Sequence, residues 1–91
     1  IAKACPNWKA GSGKTVEWPT GTGAKGNEGV TAQIQQTPGA IGYTEFSFSK
    51  QNNLPTASLQ NKSGAFIAPT PESAAKALEG AAVPETFAVK V

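Results

Sequence analysis

The stretch that decides the fold is "GAKGNEGVTAQIQQTPGAIGYTEFSFSKQNN", Gly23 to Asn53. It opens on a glycine loop. "NEGVTAQIQQ" then reads as a helix: Asn27 is a good N-cap residue, and Glu28 stands in the first turn, where the positive end of the helix dipole favours a carboxylate. Val30, Ile34 and Thr37 share one face at the 3–4 spacing, and Pro38-Gly39 ends the run. "AIGYTEF", Ala40 to Phe46, is apolar, β-branched and aromatic, the composition of a buried strand. "SFSKQNN" suits a short helix that periodicity alone does not fix.

Working outward, "KTVEW" (Lys14–Trp18) alternates like a short strand, and Pro19 stops it because proline donates nothing to a ladder. Downstream, "TASLQ" and "AFIAP" flank "NKSG", a hairpin with Gly64 near its turn. "TPESAAKALEG" carries a full set of helix signals: Thr70 as cap, Pro71 at the first helical position, Glu72 in the first turn and Gly80 as the stop. "TFAVKV" (Thr86–Val91) alternates as a half-buried strand. Strands interleaved with helices predict an α/β domain, a mixed sheet flanked by helices. The aromatic residues Trp8, Trp18, Phe46, Phe48, Phe66 and Phe87 are the expected core anchors, and Tyr43 is expected in the same core.

Composition narrows the function. The 91 residues make one domain or a piece of one, with 38% hydrophobic content and a net charge of +2. Eight Lys and six Glu are scattered singly, so there is no basic patch for nucleic acid. His, Arg, Asp and Met are absent. The commonest general base and metal ligand, the bidentate anion clamp and the aspartyl nucleophile are therefore missing together. Cys5 stands alone and makes no internal disulfide; it reads as an inert thiol. No run of about 18 apolar residues marks a membrane span. The start at Ile1, without Met or signal peptide, and the final strand ending at the last residue suggest a processed or partial chain.

Two glycine motifs suggest phosphate. "GSGKT" (Gly11–Thr15) imitates the end of a P-loop, but the pattern's first glycine falls on Trp8, and a strand-like segment follows where a helix is needed. "GTGAKG" (Gly21–Gly26) has dinucleotide spacing, lies between a predicted strand and a predicted helix, and has Glu45 about 20 residues on. Pro19-Thr20 interrupts its junction, and the single βαβ unit that follows is too small to cover a dinucleotide. Within it, Lys25, Gly26 and Asn27 open a helix, and a helix N-terminus can face an anion without any fingerprint. Tyr43 and Glu45 are the remaining polar candidates.

Several segments in order resemble the PstS phosphate-binding family of bacterial phosphate ABC transporters: "WP" at Trp18-Pro19, "GAKGNEG" at Gly23–Gly29, "PGAIGYTEFSFSKQNNL" at Pro38–Leu54 and "APTPES" at Ala68–Ser73. The likeness runs from about Lys14 to about Leu78, and residues 1–13, with Cys5, lie outside it. It implies one lobe of a two-lobed periplasmic-binding-protein-like (type II) fold. It also implies capture of inorganic phosphate without bond-making chemistry or cofactor, delivery to a membrane ABC permease, and a place in the periplasm or cell envelope, secreted or lipid-anchored. That family holds the anion with backbone N–H groups, hydroxyls, an Arg and an Asp. The resemblance places this chain, 1–91, as a partial domain inside the second lobe, beyond the anion-holding segments. No residue here inherits a phosphate contact; Lys25, Gly26 and Asn27 are the candidates nearest to one. A phosphatase-like enzyme completed by residues elsewhere and a small interaction domain without ligand are the competing readings.

Overall fold

The computed structural model of the chain describes residues 1–81, 83, 84 and 86–88. Five elements follow in order: helix α1 (Gly26–Gln36), helix α2 (Phe46–Gln51), strands β1 (Leu59–Gln60) and β2 (Phe66–Ile67), and helix α3 (Pro71–Glu79).

Helix α1 starts one residue before its expected cap. Lys25, extended at φ −91° and ψ 110°, is the N-cap and makes no side-chain capping bond. Gly26 follows at φ +67°, a left-handed value that glycine adopts without the Cβ penalty. At the other end the Thr37–Ala40 turn has Pro38 second and Gly39 third at φ +79°, closed by the Ala40 N–H donating to the Thr37 carbonyl at 3.1 Å. That is a type II turn, which needs a positive φ at its third residue and favours Pro before it.

The turn sends the chain back along α1 in extended form. Gly42 lies against the helix: a Cβ there would stand 3.0 Å from Ile34 Cδ1 and 3.2 Å from Val30 Cγ1. Its neighbours Ile41 and Tyr43 point away, 93% and 76% exposed, because successive residues of an extended chain face opposite sides. Helix α2 then begins beside the start of α1, where the Glu45 N–H donates to Asn27 Oδ1 at 3.0 Å. The far ends are tied by Gln35 Nε2 donating to Asn52 Oδ1 at 3.2 Å. The two helices therefore run side by side in the same direction. The most buried side chains, Thr31 and Ser49, lie one on each, and each hydroxyl donates to its own helix backbone, to Asn27 O and Phe46 O. Helix α2 closes with Asn53 at φ +52°, the Leu54 N–H reaching the Ser49 carbonyl at 2.8 Å and the Asn53 N–H reaching that of Lys50 at 3.4 Å. This is a Schellman ending with Asn in the position usually held by Gly.

The hairpin forms where expected but is short, with Leu59 opposite Ile67 and Gln60 opposite Phe66. Its loop is built by Asn61, whose Oδ1 accepts from the Ser63 and Ala65 amides at 3.0 Å each and from Ser63 Oγ at 2.8 Å. Gly64 supplies the positive φ of +91°. Helix α3 matches its signals. Thr70 Oγ1 accepts from the Ser73 N–H at 3.0 Å while Ser73 Oγ accepts from the Thr70 N–H at 2.9 Å, a reciprocal capping box behind Pro71.

Three expectations are corrected. Lys14–Trp18 and Ala40–Phe46 form no strands, and Phe46 begins a helix instead. An extended backbone becomes a strand only with a hydrogen-bonded neighbour, and neither segment has one. Among the described residues the sheet is the two-stranded antiparallel hairpin, not a mixed sheet. Of the expected final strand, residues 86–88 are irregular and 89–91 lie outside the described residues. The aromatic residues do not form a buried core. No hydrophobic side chain is fully buried among the described residues; Trp8, Phe46 and Phe48 are half-buried, and Trp18, Tyr43, Phe66 and Phe87 are exposed.

The physical consequence is a thinly packed chain. Its accessible surface is 8092 Å², against about 5,000 Å² for a self-contained globular protein of this mass. Its radius of gyration is 15.2 Å, against about 12 Å for a compact domain of this length.

Candidate functional site

The helix N-terminus at Lys25–Gly26–Asn27 is the best-defined polar feature. Gly26 turns the chain into α1, and the first-turn amides open beside Lys25. The charge there is already answered from within. Glu28 folds back so that a Cβ at Gly26 would stand 2.8 Å from its Oε1 and 3.0 Å from its Oε2. A carboxylate in the first turn stabilises the positive end of the helix dipole and repels a second anion. Asn27 is also committed: its side-chain oxygen accepts from the Glu45 amide, and its backbone carbonyl accepts from Thr31 Oγ1 at 2.8 Å.

Glu45 caps α2, accepting from the Ser47 N–H at 3.4 Å and from Ser47 Oγ. The carboxylate about 20 residues beyond the glycine motif is therefore a helix cap. Tyr43 is exposed. Its ring lies 6.1 Å from that of Trp18, which stands edge-on to Trp8 at 5.5 Å.

The aromatic chain explains the "GSGKT" segment. Trp8 Nε1 donates to the Gly11 carbonyl at 2.7 Å, and Gly11 and Gly13 adopt φ of +75° and +149°. The turn is organised by a donor from outside it onto its carbonyl, whereas a phosphate cradle presents amides to an anion. A recess of about 210 Å³ beside it is lined by Trp8, Ser12, Val16 and Trp18 and holds no charged side chain. A second recess, of about 300 Å³, lies between β2 and the start of α3, with Phe66, Ile67, Glu72 and Lys76 on its walls. "GTGAKG" likewise lacks its context, because no strand precedes it. Among the described residues no three His, Cys, Asp or Glu side chains group to hold a metal ion, and no helix is long and apolar enough to cross a membrane. Cys5 is exposed and free.

The sequence matches known proteins over most of its length. It is 51% identical over 75 residues to the phosphate-binding protein PstS of Pasteurella multocida, covering 80% of this chain and 22% of that protein. Over most of its length the sequence is similar to PstS phosphate-binding proteins. PstS of Haemophilus influenzae is 47% identical over 75 residues, with the same two coverages, 80% and 22%. PstS of Xylella fastidiosa is 42% identical over 83 residues, or 89% of this chain and 23% of the relative. The chain thus spans about a fifth of the length of the curated PstS relatives it matches. No protein-family profile matches it.

The PstS likeness and the geometry bear on different questions. Identity near one half over 75 residues is a statement about the whole segment and does not single out Lys25, Gly26 or Asn27. The role the sequence did not foretell belongs to Asn27, which stitches two helices rather than capping one. Its signal is Gly26: a glycine able to turn with positive φ directly before it moves the helix start upstream and leaves the amide side chain free to reach sideways.

Proposed function

We propose that this chain is a scaffold segment of a solute-binding protein that captures inorganic phosphate for an ABC import system, and that its own residues do not hold the anion. The observation that carries the reading is the 51% identity over 75 residues to a protein named for phosphate binding. The whole protein is then a two-lobed clamp of the periplasmic-binding type, and this chain lies within its second lobe. It works in the periplasm or cell envelope and delivers to a membrane permease. No bond is made or broken; capture and lobe closure are the mechanism.

The absence of an anion contact in this segment follows from chemistry. A dehydrated phosphate needs many donors, because each unpaired acceptor costs desolvation energy. The chain has no Arg, and the helix N-terminus at Lys25–Asn27 carries the Glu28 carboxylate. Lys25 and Asn27 shape the entry to α1 and its contact with α2.

A segment exchange tests this. The matched residues are transferred into the Pasteurella multocida PstS in place of its own, and phosphate is titrated calorimetrically into the exchange protein and into the isolated 91-residue chain. The exchange protein folds and keeps phosphate affinity within about tenfold, a loss below ~1.4 kcal/mol; the isolated chain gives no phosphate heat. Stoichiometric phosphate uptake by the isolated chain, or a folded exchange protein that has lost phosphate, refutes the proposal.

A further inference from the structure

We draw no further inference here: the strongest candidate, the recess between β2 and the start of α3 walled by Phe66, Ile67, Glu72 and Lys76, is an open face of a chain that spans about a fifth of the PstS relatives it matches, and nothing in the structure shows what covers it.

Discussion

Urea titration of the isolated chain tests the thin packing directly. An unfolded chain of 9.3 kDa exposes about 13,500 Å², and a self-contained domain of that mass about 5,000 Å². Unfolding such a domain therefore releases about 8,500 Å². This chain starts from 8092 Å², so its unfolding releases only about 5,400 Å² by the same scaling. Because the urea slope is proportional to the surface released, it falls to about two thirds of the normal value, near ~0.6 kcal/mol per molar where a small domain gives about 1. With no hydrophobic side chain fully buried among the described residues, tryptophan fluorescence and far-UV circular dichroism should also report different midpoints. Trp8 and Trp18 sit in the N-terminal aromatic contact, whereas the helical signal comes from α1, α2 and α3. Coincident, cooperative transitions with a slope at or above about 1 kcal/mol per molar would refute the reasoning.

Two substitutions test individual joints. Asn27→Ala removes the acceptor for the Glu45 amide and should cost about 1 kcal/mol, read as faster hydrogen exchange at Glu45 and in α2; Asn27→Asp, which keeps the oxygen, should retain most of the protection. Thr70→Ala removes half of the capping box of α3 and should cost about 1 kcal/mol of helix stability. It is measured as a loss of helical ellipticity that Thr70→Ser largely restores, and an unchanged ellipticity in the alanine variant would show that Pro71 alone sets the helix start.

The elements specified by neighbours in sequence were legible. Thr70, Pro71 and Ser73 satisfy one another within four residues, so α3 begins where its signals lie. The Pro38-Gly39 turn and the Asn61–Gly64 loop are likewise local, each closed by hydrogen bonds across a few residues. Glu45 was misjudged because its role depends on α2 starting at Phe46, one residue inside a run whose composition favours a strand. Local chemistry won there: a carboxylate that accepts from Ser47 fixes a helix start more firmly than β propensity fixes an isolated strand.

What the sequence by itself determined is the set of turns and caps, the exclusion of His-, Arg- and Asp-based chemistry, and the PstS likeness, all of which depend on residue identity and short spacing. Only the tertiary structure decided that Asn27 joins α1 to α2, that the Glu28 carboxylate folds back against Gly26, and that Ala40–Thr44 lies extended on α1 without forming a strand. The reason is range. A cap is satisfied within one turn of chain, whereas a strand, a core and an anion site each require partners brought from far along a polypeptide, and apolar residues such as Ile41 and Tyr43 announce burial without saying what buries them.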